Sequence, residues 1–132
     1  MRVVIMGASR LASTVADLLE KDGHKLVVID IDEAGFNRLS PNYAGEKIIG
    51  SGTNPDIYKK INFSAEDIFL AATNSENVNI AAAKMVQETF NCQSAYKVIY
   101  DPKRAKAFNE VEKGIICPIL DAAIVFKNLI AT

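Results

Sequence analysis

The chain has 132 residues, 49% apolar and 23% charged, with a formal net charge of −1 and a pI near 5.8. That length supports one domain with its own core, and the composition excludes disorder and a basic groove for nucleic acid. No apolar run approaches the ~18 residues of a membrane span and no signal-peptide pattern opens the chain, so a soluble, cytoplasmic protein with no direct membrane insertion is expected.

Arg2-Val3-Val4-Ile5-Met6 reads as a strand running into Gly7-Ala8-Ser9-Arg10-Leu11-Ala12, with an amphipathic helix to Lys21 and a second strand, Leu26-Val27-Val28-Ile29, closed by Asp30. A Gly-rich turn that opens directly into a helix aims unpaired N–H groups and the positive end of the dipole at one spot, which suits a phosphate. An acid at the tip of the next strand lies beside that spot and can accept hydrogen bonds from a ribose. Against the full G-x-G-x-x-G/A pattern, Gly7 holds the first place, Ser9 replaces the second glycine and Ala12 fills the third. The Ser9 hydroxyl would either crowd a diphosphate or bond to it.

Residues 33–42 read as helical, with Phe36, Leu39 and Tyr43 at helical spacing, and Lys47-Ile48-Ile49 as a short strand ending at Gly50-Ser51-Gly52-Thr53. Asn54-Pro55 is a cap followed by proline at the first helical position, opening a helix through Ile61. A buried strand over 67–72 leads to Thr73-Asn74-Ser75-Glu76, which has the spacing of a capping box and starts a helix to about Phe90. The spacing then predicts a strand over 96–100, a helix from Asp101-Pro102 to Glu112, a strand over 114–117, and a helix from Pro118 to the end.

Six strands alternate with helices, and several strands are continuous apolar runs, as in a parallel sheet covered on both faces. Right-handed crossovers then predict an α/β, Rossmann-like doubly wound parallel six-stranded sheet of order 3-2-1-4-5-6, one domain over 1–132. Ligands bind such sheets beyond the carboxyl ends of the strands. The candidate nucleotide-binding residues at that edge are Gly7, Ala8, Ser9, Arg10, Leu11, Asp30, Ile31, Asp32, Ser51, Gly52, Thr53, Thr73, Asn74 and Ser75, with Asp101 nearby. His24, the sole histidine, falls in a turn at the opposite edge and is read as solvated. Cys92 and Cys117 lack C-x-x-C spacing and histidine companions, so they are expected to be reduced thiols, with no metal and no catalytic residue assigned.

Taken together these segments resemble the N-terminal nucleotide-binding domain of the RCK, or KTN, family, also called TrkA-N, cytosolic regulators of potassium channels and transporters. Residues 7–12 resemble the family's G-x-G-R-x-G turn, including Arg10; Val28-Ile29-Asp30-Ile31-Asp32 is similar to its strand-2 ending. Gly50-Ser51-Gly52-Thr53-Asn54-Pro55 resembles the segment lining the adenine side, and Ala72-Thr73-Asn74-Ser75-Glu76-Asn77 and Asp101-Pro102 its strand-4 and strand-5 turns. The resemblance implies a regulatory subunit that senses NAD(H) or ATP/ADP, assembles into dimers or rings, and sits peripheral to the membrane through a potassium channel or transporter partner. Because strand 1 begins at Met1, that partner is expected to be a separate chain. Asp30 would repel a 2′-phosphate and Ile31 supplies no arginine to neutralise one, so NAD or ATP/ADP is expected over NADP.

Two other readings stay open on sequence alone. The first is a nicotinamide-dependent oxidoreductase, which needs a substrate site and an acid–base group beside the hydride. Its one apparent signature, the Y-x-x-x-K spacing of Tyr43 and Lys47, is interrupted by Gly45 and runs into a strand, so it is read as chance. The second is a scaffold with a vestigial site, for which Ser9 is the best support. The last helix bears on assembly: Ile124 and Val125 lie on the stripe between Asp121 and Asn128 that should face water, and this predicts a homodimer contact there.

Overall fold

In the computed structural model, which describes residues 1–131, six parallel strands form one sheet of order β3-β2-β1-β4-β5-β6, the predicted order. The strands are β1 (Arg2–Met6), β2 (Lys25–Asp30), β3 (Glu46–Ile49), β4 (Ile68–Ala71), β5 (Ser94–Val98) and β6 (Ile115–Ile116). Helices α1 (Arg10–Lys21), α2 (Pro55–Lys60), α3 (Glu76–Phe90), α4 (Pro102–Asn109) and α5 (Pro118–Ile130) connect or follow them, and a 3-10 helix, Glu33–Arg38, joins β2 to β3.

Strand β1 sits in the middle and is buried on both faces. Val4 and Met6 pack with Val27, Ile29, Tyr58, Phe69 and the α3 residues Ala82, Ala83 and Val86. Val3 and Ile5 point the other way, into Ala12 and Ala16 of α1 with Val28, Phe36 and Leu39. Small residues on α1 and α3 let both helices lie close to the sheet. Burying a Val or Ile side chain stabilises by about 1.5–3 kcal/mol, so this strand ties the layers on its two faces together. In the ladders, Met6 is opposite both Ile29 and Ala71, and Asp30 is opposite Ile49, so the turns after β1, β2, β3 and β4 emerge side by side.

Several local expectations are corrected. The helix expected over 33–42 is a 3-10 helix ending at Arg38, with Leu39 extended. Gly35 lies against Asp30, where a Cβ would stand 2.9 Å from Oδ2, and Pro41 follows, so a regular α-helix does not continue. The capping box at Thr73 and Glu76 does not form. Ser75 is the N-cap instead, its Oγ accepting from the Val78 N–H at 3.3 Å, which makes Glu76 the first helical residue and frees its carboxylate for other partners. Strand β5 begins earlier than the 96–100 expected and ends at Val98; α4 stops at Asn109 rather than Glu112; β6 is confined to two residues.

The final helix departs furthest from an ordinary surface helix. Helix α5 has no buried residue, and Leu120 is its contact with the small cluster of Ile99, Ala105 and Cys117. Ile119, Ile124, Val125, Phe126, Leu129 and Ile130 are each at least 45% exposed. Among the described residues no helix is long and apolar enough to cross a membrane.

Candidate functional site

The four parallel turns enclose a cleft of about 570 Å³ at the carboxyl ends of β1, β2, β3 and β4. Residues 7–9, 29–32, 50–53 and 73–75 line it, so twelve of the fourteen sequence candidates come together. Arg10 and Leu11 do not line it. Arg10 is exposed on the first turn of α1, and Leu11 is half-buried against the core on the α1 side. Met6, Gly35, Arg38 and Val78 complete the lining and were missed by sequence reasoning.

The floor is the turn after β1. Gly7 has φ +97°, and a Cβ there would stand 2.9 Å from the Thr73 nitrogen, so both the backbone angle and the approach of β4 require glycine. Its N–H donates to the Ile29 carbonyl at 2.6 Å, tying the turn to β2. Ser9 takes the N-cap of α1: its Oγ accepts from the Ala12 N–H at 3.1 Å and donates to the Ala72 carbonyl at 2.7 Å. The hydroxyl at the departed glycine position is thus engaged with backbone, joining the start of α1 to the end of β4. The N–H groups of Ser9, Arg10 and Leu11 have no protein acceptor among the described residues, as expected for the open end of a helix.

Asp30 organises the neighbouring wall. Its Oδ2 accepts from the Ala8 N–H at 2.7 Å and its Oδ1 from the Asp32 N–H at 2.8 Å, so the carboxylate locks the β1 turn to the β2 turn. Each oxygen keeps a second lone pair for another donor. Asp32 caps the 3-10 helix by accepting from the Ala34 N–H at 3.0 Å. Arg38, at the end of that helix, reaches back so that Nη1 lies 3.3 Å from the Ala8 carbonyl.

On the far side, the Ser51 and Thr53 hydroxyls bond each other at 2.9 Å. Gly52 passes directly over Met6, where a Cβ would overlap that side chain, and its carbonyl accepts from the buried Tyr58 hydroxyl at 2.6 Å. Burial pushes the Tyr58 phenol up, so it stays a donor. The β4 turn is held by Asn79, which is fully buried on α3. Its Oδ1 accepts from the Thr73 N–H at 2.9 Å and the Thr73 hydroxyl at 2.6 Å, and its Nδ2 donates to the carbonyls of Thr73 at 3.1 Å and Val98 at 3.0 Å. Asn79 looked like one more helix residue in the sequence; only its burial under the turn distinguishes it.

Glu76 extends the same wall toward β5. Its Oε2 accepts from the N–H groups of Tyr100 and Asp101, each at 2.8 Å, and its Oε1 takes Arg104 at 3.0 Å. The Asp101 N–H first, then that of Tyr100 and the Arg104 guanidinium, hold this carboxyl below the usual range despite desolvation. Asp101 itself caps α4 and does not line the cleft.

The remaining sequence candidates lie elsewhere. His24 is in the turn before β2, at the opposite edge. The Tyr43 hydroxyl donates to the Glu46 carbonyl at 2.7 Å and Lys47 lies over its ring at 5.9 Å; neither lines the cleft. Cys92 and Cys117 are free, buried thiols, one after α3 and one after β6.

Comparison with known proteins places this arrangement. The family model described as the TrkA-N domain matches residues 3–118. The chain is similar to the Trk system potassium uptake protein TrkA of Streptomyces coelicolor, 34% identical over 111 residues, covering 84% of this chain and 50% of that protein. It spans half the length of that protein and of the Pyrococcus abyssi TrkA homolog, and about a fifth of the TrkA of Halomonas elongata. Among solved structures, the Kef CTD of Shewanella denitrificans in its AMP-bound form superposes with a TM-score of 0.77 at 14% identity, over 100% of this chain and 83% of that one. The NAD(P)-binding domain of an exopolyphosphatase-related protein from Archaeoglobus fulgidus gives 0.74 at 14% identity, over 97% and 96%. At such identities the structural likeness speaks for the fold.

Proposed function

The chain belongs to the TrkA-N family, and from that premise we propose that it is the ligand-sensing domain of a potassium transport regulator, binding an adenine nucleotide, NAD(H) or ATP/ADP, in the cleft. The observation that carries this reading is that the turn Gly7-Ala8-Ser9, at the open N-terminal end of α1, and the Asp30 carboxylate line one cavity of about 570 Å³, the size of a small-molecule site. The residues fit such a ligand. Asp30 retains lone pairs for ribose hydroxyls, the Ser9 N–H at the open end of α1 suits a phosphate oxygen, and Ile31 with residues 51–53 offers a wall for the base. A close approach is preserved at Gly7, where a side chain would fill the floor. The engaged Ser9 hydroxyl takes away the best support for a vestigial site.

The proposal extends to assembly and output. An unburied, apolar α5 supports a homodimer, or a higher ring, formed through this helix. Nucleotide occupancy would then bias a shared element and gate a membrane potassium channel or transporter subunit, with this domain cytoplasmic and peripheral to the membrane. A differential affinity worth about 1–3 kcal/mol between two states is enough for such gating. The test is thermal unfolding with AMP, ADP, ATP, NAD and NADH at millimolar concentration. A ligand present at about 100 times its Kd adds about 2.7 kcal/mol, a clear rise in Tm. Unchanged melting with all five would refute nucleotide sensing.

A further inference from the structure

Building on the nucleotide reading of the cleft, we infer that Arg38, on the 3-10 helix after β2, is the side chain that recognises a phosphate on the bound adenosine ribose. The cleft is lined by two acids, Asp30 and Asp32, and among the described residues by a single cation, Arg38. The residue expected to play that part from the turn motif, Arg10, lies outside the lining.

The position of Arg38 is fixed by its neighbours. Phe36 and Leu39 on either side are buried in the core and Gly35 rests on Asp30, so the backbone that carries the guanidinium is anchored although the side chain is exposed. One residue's backbone ties both charges to the same place: the Ala8 N–H donates to Asp30 at 2.7 Å, while the Ala8 carbonyl faces Arg38 Nη1 at 3.3 Å. That second contact is longer than the usual N–H···O range and uses one of five guanidinium donors. Within 4.0 Å no carboxylate of the described residues pairs with Arg38, even though Asp30 and Asp32 share the cleft with it. A planar cation with free donors, held over the phosphate-binding turn and left without a counter-ion, is suited to a phosphate oxygen pair. The same residue alters the expectation about 2′-phosphates. Ile31 supplies no arginine, but the 3-10 helix brings one to the cleft from eight positions after Asp30.

The experiment is calorimetric titration of the whole chain with adenosine, 5′-AMP and 2′-AMP, for the wild type and for R38A, R38K and R10A. The exposed Arg38 makes one weak internal contact, so the variants are expected to fold, which unchanged melting temperatures would verify. Wild type should bind a phosphorylated form more tightly than adenosine. R38A should weaken it by about tenfold or more, the effect of a lost charge-assisted bond, while adenosine stays within twofold. R38K should recover part of the loss, and R10A should weaken the phosphorylated ligands less than R38A does. A loss confined to 5′-AMP places the guanidinium on the 5′ side, and one confined to 2′-AMP places it at the ribose edge; both support the assignment. Equal losses for adenosine and the phosphorylated forms, or a loss produced by R10A and not by R38A, would overturn it. Failure of the wild type to bind any of the three would instead overturn the nucleotide reading on which it rests.

Discussion

Replacing Asn79 with alanine should be among the most damaging single changes near the cleft. The side chain is fully buried, and its amide makes four hydrogen bonds, three to Thr73 and one to the Val98 carbonyl. Truncation removes the partner of the Thr73 N–H and of the Val98 carbonyl together. A buried backbone group left unsatisfied costs about 1–3 kcal/mol, so the pair costs about 2–6 kcal/mol. For a domain of this size that corresponds to a fall in Tm of about 7–20 °C. Asn79→Asp is a sharper control, because it keeps the acceptor for Thr73 but sets an oxygen against two carbonyls. It should be no better tolerated at neutral pH than alanine. Urea unfolding with an unchanged m-value, alongside calorimetry, separates a true loss of stability from a changed denatured state. If Asn79→Ala lowers Tm by less than about 3 °C, the amide is not what holds the β4 turn and the reasoning fails.

Glu76 predicts a pH dependence. Its folded carboxyl titrates below the ordinary value of 4.5, so the stability it adds is complete above that pH and is lost as pH falls through the lower, folded value. The difference in unfolding free energy between wild type and Glu76→Gln should be constant from neutral pH to about 5 and shrink on further acidification; a difference that grows in acid would refute this account of hydrogen bonds to the ionised carboxylate. Gly7→Ala forces a Cβ into φ +97° against β4 and should destabilise by about 2 kcal/mol or more, read by urea denaturation. Ser9→Gly removes the bond to Ala72 and weakens the cap, costing about 1 kcal/mol, with AMP affinity within twofold because the hydroxyl is engaged with backbone. A marked tightening in calorimetry would mean that Ser9 crowds the ligand after all. Finally, Ile124→Glu combined with Val125→Lys should convert a dimer to a monomer in light scattering at tens of micromolar, and an intact dimer would remove α5 as the interface.

Much of this molecule is legible in its sequence. The parallel sheet and its order followed from apolar strands alternating with helical segments, since a strand buried on both faces cannot carry the polar alternation of a half-solvated one. Gly7, Asp30, residues 51–53 and the β4 turn could be assigned to one rim because a doubly wound topology sends every strand end of one polarity to the same edge. What the linear pattern did not contain was how side chains choose among competing partners once those turns are packed. Ser9 reads as either obstacle or phosphate contact until the Ala72 carbonyl stands 2.7 Å from its hydroxyl. Thr73 and Glu76 have the spacing of a capping box, yet each finds a partner in space, Asn79 for one and the Tyr100–Asp101 backbone for the other. Arg38 lines the cleft and Arg10 does not for a similar reason: a turn motif names the arginine next to it in sequence, whereas Gly35 packed on Asp30 folds a later one over the Ala8 carbonyl. Strand period and burial are local properties of the chain, but hydrogen-bond choice depends on which groups lie within about 3 Å after folding, and that distance exists only in the tertiary structure.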